Sequence, residues 1–354
     1  MYFHDIDYGY KKKILRQTMK FKAYLVDVAE SGDVKATFTD RSIDDLPKGD
    51  VLINIHYSSL NYKDHLSSSG HRGITRNYPH TPGVDGAGRV LRSKDSRFKE
   101  GDEVLVTGHD LGMNTSGAYA QCIQVPSDWV VPMPEKLKME EAMIYGTAGF
   151  TAGQCVEQLV QGGVRPEDGP ILVTGATGGV GSVAVAILSG LGYEVMAATR
   201  DLSNKEFLLE LGAAGLVDSA TLIDDSSKPL LKSRWAGVVE TVGGGLLETA
   251  IRSTQRRATV TFCGMIASPE LNTSVYPFIL RGLRLIGIDS AECPINLKKL
   301  LWEKLAGDWK PSTLSYLGKT LSWEHIPEEL EKIGEGKTRG RVVFALPLLD
   351  VSNF

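Results

Sequence analysis

The sequence predicts an α/β protein in which an all-β domain is split around an inserted, doubly wound parallel sheet. Residues 19–144 consist of short apolar runs separated by turn residues, the pattern of a β domain. Strands and helices then alternate through residues 145–295, as they do when crossover helices connect parallel strands. Residues 296–354 return to strand character after one helix, which indicates that the β domain resumes there.

The β domain is expected to begin at Met19 and to form a barrel. Its strands are predicted at Phe21–Val26, Val51–Tyr57, Gly86–Leu91 and Glu103–Thr107. Turn-favouring residues such as Pro47 and Gly49 separate them. Residues 1–18 contain basic residues without the apolar core of a secretory signal. They are interpreted as an N-terminal extension or a misassigned start.

The inserted domain carries six short apolar strands with helices between them. The strands are predicted at Ile171–Thr174, Glu194–Ala198, Gly215–Val217, Gly237–Thr241, Thr259–Phe262 and Leu283–Ile288. Helices are predicted at Val180–Leu191 and Lys205–Leu211, and a later one at Leu297–Ala306. The tail strand Gly340–Leu346 then belongs to the β domain.

A glycine-rich turn follows the first strand of the inserted domain. Residues 175–181 read GATGGVG, which is the dinucleotide-binding fingerprint with Ala176 in the first glycine position. The start of a helix offers unpaired N–H groups and a positive dipole end to a pyrophosphate. A side chain at Gly178 or Gly179 would hold the phosphates away. The turn therefore predicts a nicotinamide dinucleotide site.

The end of the second inserted strand indicates which nucleotide binds. An NAD site places an acidic residue there, which hydrogen-bonds to the ribose 2′-OH. This chain has Thr199 and Arg200, a hydroxyl and a guanidinium that suit a 2′-phosphate, followed by Asp201. The pattern favours NADPH. The alternative is that Asp201 is the acidic residue of an NAD site, displaced by one position.

Composition limits the class of protein further. The 354 residues are 42% apolar and 23% charged, with a net charge of −4, which gives no electrostatic footprint for nucleic acid. The 4 cysteines are far apart in sequence, as expected in a reducing compartment. No apolar run reaches the length of a membrane span. A cytoplasmic protein without a nucleic-acid or membrane partner is expected.

Four strings of residues resemble those of one enzyme superfamily. They read SSLNYKD at 58–64, RNYP at 76–79, GTAGFTA at 146–152 and PFILR at 277–281. In this order they are similar to the medium-chain dehydrogenase/reductase superfamily, of the zinc-independent quinone oxidoreductase type and closest to its acryloyl-CoA reductase branch. The resemblance covers Met19 to Leu346. It implies a chaperonin-10-like β-barrel domain and a Rossmann domain.

The same resemblance bears on metal binding. Zinc alcohol dehydrogenases of this superfamily ligate the metal through a cysteine, a histidine and a second cysteine. This chain has Asn61, Val84 and Thr147 at or beside those positions. Valine cannot ligate a metal, and zinc prefers sulfur and nitrogen ligands. No metal is expected.

The resemblance also implies a reaction. Without a Lewis acid, ketone reduction loses its stabilising cation, whereas an activated C=C bond needs less help. Hydride then adds to the β-carbon and negative charge moves onto the carbonyl oxygen. The leading hypothesis is NADPH-dependent reduction of a short enoyl-CoA, such as acryloyl-CoA to propionyl-CoA. The alternatives are a quinone or enone oxidoreductase and, among non-enzymes, a crystallin-like nucleotide-binding structural protein.

Site residues follow from the motif and the resemblance together. Tyr62 and Asp64 are the catalytic candidates, although the tyrosine could mainly contact cofactor and Asp64 could cap a helix. The cofactor-binding candidates are Asn61, Tyr62, Thr147, Thr177, Gly178, Gly179, Val180, Gly181, Thr199, Arg200, Asp201, Thr241, Val242, Met265, Ile279 and Arg341. The expected partner is a small-molecule substrate such as a CoA thioester. Relatives that pair through the sheet edge imply a homodimer formed at Leu283–Ile288.

Overall fold

The structure, a computed structural model, describes residues 19–349, so the predicted extension 1–18 lies outside the described residues. The strands are Lys20–Val28 (β1), Val34–Ser42 (β2), Val51–Ser59 (β3), Asp85–Ser93 (β4), Glu103–Thr107 (β5), Cys122–Val125 (β6), Val130–Pro132 (β7), Ile171–Val173 (β8), Val195–Thr199 (β9), Gly215–Asp218 (β10), Trp235–Glu240 (β11), Thr254–Phe262 (β12), Arg284–Gly287 (β13), Gly318–Ser322 (β14) and Arg341–Ala345 (β15). The α-helices are Tyr62–Ser68 (α1), Met139–Gln161 (α2), Gly179–Gly190 (α3), Lys205–Glu210 (α4), Gly244–Ser253 (α5), Tyr276–Arg281 (α6), Ile295–Ala306 (α7) and Ile326–Gly334 (α8).

The inserted strands form one parallel sheet in the order β10-β9-β8-β11-β12-β13. Numbered from its first strand, β8, the sheet has the order 3-2-1-4-5-6, the doubly wound order in which the crevice lies between the first strand, β8, and the fourth, β11. The predicted Rossmann sheet is confirmed. Its carboxyl ends, where ligands bind in such sheets, carry the glycine turn and the loops after β9, β11 and β12.

The β domain is built on a seven-stranded sheet with β14, β15, β3, β4, β5 and β7 in line and β6 beside β3. Strand β15, from the end of the chain, pairs antiparallel with β3 from its beginning. The β1–β2 hairpin joins this body where the Tyr24 amide donates to Tyr119 O at 2.8 Å. The tail therefore completes the β domain around the inserted sheet, as predicted for the fold.

Helix α2 connects the two sheets and is interrupted at Gly146, whose φ of 50° and ψ of −157° are not helical. Its residues Tyr145 and Phe150 are fully buried in one apolar cluster. That cluster also contains Leu105 of the β domain and Val183 of α3, so the two sheets share a continuous core. The sequence did not reveal α2 because glycines at 146, 149 and 153 lower the helix propensity of this stretch. Within residues 19–349, no helix has the length and apolarity needed to cross a bilayer.

Substitution of Gly146 by alanine should destabilise the protein. A Cβ atom there would lie 2.5 Å from both Asp85 Oδ2 and Ser59 Oγ, on a backbone with positive φ. A positive φ with ψ near ±180° is essentially restricted to glycine and costs about 1–3 kcal/mol for alanine, and the contacts add to that cost. Urea unfolding measures the difference. Gly190→Ala, in helix α3 with no atom within 4 Å of its Cβ, is the control and should be neutral or stabilising.

Candidate active site

The glycine turn after β8 has the shape required to hold a pyrophosphate. Gly178 is the N-cap of helix α3, so the N–H groups of Gly179, Val180 and Gly181 in the first turn have no acceptor within the helix. As a glycine, Gly178 also has no side chain that could accept from them. A Cβ on Gly181 would lie 2.3 Å from Gly175 O, so only glycine lets the turn close. A Cβ on Gly178 would lie 3.3 Å from the same oxygen, which is also a tight contact. The turn fits a dinucleotide, and Thr177 O accepts from the Gly340 amide at 2.9 Å.

The end of β9 places its three polar residues in different roles. Thr199 is buried, and its hydroxyl accepts from the Asp201 amide at 3.2 Å. The Asp201 carboxylate accepts from Ser203 N at 2.9 Å and Asn204 Nδ2 at 3.0 Å, and the hydrogen bonds from Ser203 lower its pKa. Asp201 therefore caps the next turn, while the Arg200 side chain remains exposed.

A buried carboxylate shapes the loop after β11. Glu240 accepts from the amides of Val242 (2.9 Å) and Gly243 (2.9 Å) and from the Thr174 hydroxyl (3.0 Å). Burial raises its pKa. Thr241 donates to Thr174 O at 2.9 Å, beside the glycine turn. The sequence predicted Thr241 and Val242 here, but not Glu240, which reads as an ordinary strand residue.

The loop after β12 packs against this loop. A Cβ on Gly243 would lie 3.2 Å from Met265 Cα, and the Ala267 amide donates to Val242 O at 2.9 Å. The structure therefore brings the candidates Thr241, Val242 and Met265 together. Ile279 is a different case, because it lies on α6 with its side chain exposed.

Asp85 is the centre of the β-domain half of the site. Its Oδ2 accepts from Ser59 Oγ (2.6 Å), Asn61 Nδ2 (2.8 Å) and the Thr147 amide (2.8 Å). Its Oδ1 accepts from Thr147 Oγ1 at 2.5 Å. Because α2 restarts at Thr147 after the break, the carboxylate lies at the N-terminus of a helical segment, where negative charge is stabilised. One side chain thus joins β3, α1 and α2.

Arg341 lies on the other side of Ser59. The guanidinium is buried and donates to Ile144 O (2.9 Å), Leu60 O (3.0 Å) and Ser59 Oγ (3.1 Å). Its Nη1 lies 3.0 Å from where a Cβ of Gly179 would be. Arg341 was predicted as a pyrophosphate contact. The structure places its charge against the glycine turn while its donors bind the protein.

Asp64 is fully buried and fastens two segments of backbone. One oxygen accepts from Asn61 N (2.8 Å) and Tyr119 OH (3.1 Å). The other accepts from Gly83 N (3.2 Å) and Val84 N (2.9 Å). Burial, followed by the nearby Asp85 charge, raises the pKa of Asp64 to about 7. These contacts fit the helix-capping alternative, whereas Tyr62, the first residue of α1, is 47% exposed.

The residues at the zinc-ligand positions are engaged with these two carboxylates. Asn61 and Thr147 donate to Asp85, and the amide of buried Val84 donates to Asp64. Among residues 19–349, no group of three or more histidine, cysteine, aspartate or glutamate side chains is arranged to hold a metal ion. The donor set at this site does not fit zinc, because an amide, a methyl-bearing side chain and a hydroxyl replace its sulfur and nitrogen ligands.

A Rossmann sheet whose glycine turn faces a β domain is the architecture of nicotinamide-dependent oxidoreductases. Two family models match the chain, an alcohol dehydrogenase GroES-like domain over residues 47–135 and a zinc-binding dehydrogenase over residues 179–306. The acrylyl-CoA reductase AcuI of Ruegeria pomeroyi is 41% identical over 91% of this chain and 98% of that protein. The chain belongs to the medium-chain dehydrogenase/reductase superfamily.

Two further relatives have solved structures. The yhdH oxidoreductase of Salmonella enterica, in complex with NADP, has a TM-score of 0.89 at 38% identity and covers 93% of this chain and 100% of its own. The quinone oxidoreductase YhfP of Bacillus subtilis is 42% identical over 89% of this chain and 96% of that protein. Its crystal structure with NAD bound has a TM-score of 0.90.

Replacement of Asp85 by asparagine should cost the protein about 2–4 kcal/mol of unfolding free energy, because an amide cannot accept from all of the buried donors that the carboxylate binds and the negative charge near Arg341 is lost. Urea or thermal unfolding measures the difference. Asp128→Asn is the matched control, since Asp128 is 76% exposed and pairs with Arg97 at the surface. Equal stability of the two variants would contradict a central role for Asp85.

Proposed function

We propose that this protein reduces the conjugated C=C bond of a short enoyl-CoA, with acryloyl-CoA to propionyl-CoA as the expected reaction. The observation that carries the proposal is the closed hydrogen-bond network on Asp85 at the positions where related alcohol dehydrogenases ligate zinc. A site of this composition supplies no Lewis acid, so it suits a substrate whose own conjugation makes carbon electrophilic. The 41% identity to the acrylyl-CoA reductase AcuI supports this substrate class.

NADPH is the cofactor, as predicted, and the family and the NADP-bound relative agree with this assignment. The glycine turn would hold its pyrophosphate and Arg200 its 2′-phosphate, since Asp201 is occupied as a cap. The loop of Thr241 and Val242 borders the same edge of the sheet. When bound, NADPH supplies the hydride that the reduction requires.

The residues of the β domain would stabilise and then quench the charge that develops on the substrate. Hydride addition at the β-carbon leaves an enolate, which needs a hydrogen-bond donor at oxygen and a proton at the α-carbon. Tyr62 is the exposed hydroxyl next to the buried network and either donates that proton or contacts cofactor. Asp64, held by three backbone amides and a tyrosine, positions the segment from Asn61 to Tyr62.

Quinone reduction is the second candidate function. The 42% identity to the quinone oxidoreductase YhfP favours it, and a quinone needs no Lewis acid either. The crystal structure of YhfP contains NAD, whereas that of the yhdH oxidoreductase contains NADP. The two relatives therefore differ in their bound nucleotide as well as in their names. The two functions share the hydride and the cleft, and they differ in the need to protonate an α-carbon.

We also propose that two copies of the chain pair through the edge of the Rossmann sheet. Strand β13 is the last strand of that sheet, so its outer backbone groups face away from the other described strands. Exposed apolar residues lie around it, on α6 and the loop before it: Met265, Ile266, Val275, Ile279 and Leu280. Exposed apolar side chains beside an open sheet edge are typical of an interface between copies.

Arg200→Ala should weaken NADPH binding and leave NADH binding nearly unchanged. A charge-assisted contact to phosphate contributes about 1.5–3 kcal/mol, so the wild type should prefer NADPH by at least about tenfold. Michaelis constants for both nucleotides measure the change. Lys205→Ala, which removes another exposed positive charge nearby, is the control. Equal losses for NADPH and NADH in Arg200→Ala would reject the assignment.

Deuteride from labelled NADPH should appear at the β-carbon of the product from acryloyl-CoA. Mass spectrometry and NMR of the propionyl-CoA locate the label. Tyr62→Phe should mainly raise the Michaelis constant for NADPH if the hydroxyl contacts cofactor, which is the outcome we expect. A fall in turnover number of about 10²-fold would instead make Tyr62 the proton donor. Rapid reduction of 1,4-benzoquinone without any turnover of acryloyl-CoA would overturn the enoyl-CoA proposal in favour of the quinone function.

A further inference from the structure

A buried lysine joins the two halves of the molecule outside the network described above. Lys298, on α7, is fully buried. Its Nζ donates to Thr107 O at 2.8 Å and lies 3.0 Å from His109 Nε2. Thr107 is the last residue of β5, so one ammonium ties the end of a β-domain strand to a helix that follows the Rossmann sheet.

His109 is held in place by several independent contacts. Its φ is 53°, an uncommon value for a residue other than glycine. Its ring stacks on Trp129 with centroids 5.1 Å apart and an interplanar angle of 5°. Its amide donates to Ala291 O at 3.1 Å. The ring is therefore fixed as an acceptor for Lys298, and its backbone contacts the loop of residues 289–293.

That loop reaches the candidate active site. It follows the carboxyl end of β13, the edge at which Rossmann sheets bind ligands. Ser290 Oγ lies 2.7 Å from Thr151 Oγ1, which donates to Thr147 O at 2.7 Å. Thr147 in turn donates twice to Asp85. A continuous set of contacts thus runs from Asp85 to the loop that Lys298 and His109 hold.

The charge of Lys298 has no direct counterion. No carboxylate of residues 19–349 forms a salt bridge with its Nζ, and both of its partners are neutral acceptors when His109 is uncharged. Thr107 is the neighbour of Asp85 across the β4–β5 pair, so the lysine ammonium binds the strand next to the central carboxylate. A buried cation without a salt bridge is costly, which argues that its position serves the site rather than stability.

Burial lowers the pKa of Lys298 to about 8 and that of His109 to about 4. The titratable groups that face the ammonium are His109, Cys293, Asp85, Glu292 and Asp289. A folded pKa below that of a free lysine means that the unfolded chain binds the proton more tightly. Stability should therefore rise, not fall, as the pH increases from about 8 towards the ordinary lysine pKa of about 10.4. Over the same range the charge-assisted bonds that hold the loop are weakened.

We propose that Lys298 is a positioning residue for the reduction, which fixes the loop 289–293 against Thr147 and Thr151 by tying helix α7 to Thr107 and His109. The assignment rests on the proposed function, because it concerns the geometry of that same site. Lys298 does not touch the reacting atoms. It acts by holding α7, the end of β5 and His109 in one relative position, and His109 in turn binds the loop 289–293 through Ala291 O.

Lys298→Met tests the proposal, with Lys299→Met as the matched control on the same helix. Methionine keeps the length of the side chain and removes the charge, so the variant should fold. We expect kcat/KM for acryloyl-CoA to fall about tenfold at pH 7 in Lys298→Met and to be unchanged in Lys299→Met. The wild type should lose activity above about pH 8, and this alkaline decline should be absent from Lys298→Met. A purely structural lysine would not remove a limb of the pH profile.

Hydrogen exchange at pH 7 provides a readout that is independent of substrate. Amides of residues 288–294 should exchange faster in Lys298→Met than in Lys299→Met. His109→Asn, which tolerates the left-handed backbone and removes the ring acceptor, should also speed the exchange of these amides, and it serves if Lys298→Met does not fold. Wild-type exchange and an unchanged alkaline limb in Lys298→Met would overturn the proposal. If the wild type reduces neither acryloyl-CoA nor 1,4-benzoquinone, the proposed function is wrong. The exchange rates of residues 288–294 then decide by themselves whether Lys298 fixes the loop.

Discussion

The carboxylate of Asp85 is the interaction on which the rest of the site depends. It accepts from β3, from the residue before α1 and from the restarted turn of α2, so three elements share one anion. The break at Gly146 makes this possible, because it exposes the N-terminus of the second part of α2 to the carboxylate. Arg341 then binds Ser59 on the opposite side and approaches the glycine turn. Together with the shared apolar core, this anchor fixes the strand β3 and helix α2 next to the nucleotide site.

The fold was predictable because each of its strong signals is local. The glycine turn, the alternation of strands and helices and the apolar tail strand are all read within short windows, and the predicted helix Val180–Leu191 corresponds to Gly179–Gly190 in the structure. Helix α2 escaped detection because its glycines serve tertiary contacts rather than helix propensity. Gly153, for example, packs against Leu305 of α7, which no local pattern records.

The site was less predictable, because its key carboxylates act through residues far apart in sequence. Asp85 follows a turn and is the first residue of strand β4, so nothing local separates it from a surface aspartate. The signal that could have found it is the string PGVD, where an acidic residue directly follows the unusual valine at a metal-ligand position. Glu240 and Lys298 carry no such signal. Their roles come from backbone amides and a carbonyl that only the folded chain brings within reach.

Four ionisable side chains are buried in and around the candidate site, namely Asp64, Asp85, Arg341 and Lys298. Ionised together, two carboxylates and two cations sum to zero, which lowers the cost of placing charge in a medium of low dielectric constant. This charge balance holds only over a limited pH range, because Arg341 keeps its proton throughout the physiological range whereas Asp64 and Lys298 have pKa values of about 7 and about 8. A rise in pH through about 7 adds negative charge at Asp64, and a rise through about 8 removes positive charge at Lys298. Both changes leave this buried set of side chains more negative. The charge that the site keeps away from water therefore depends on pH, although none of these four groups needs to react.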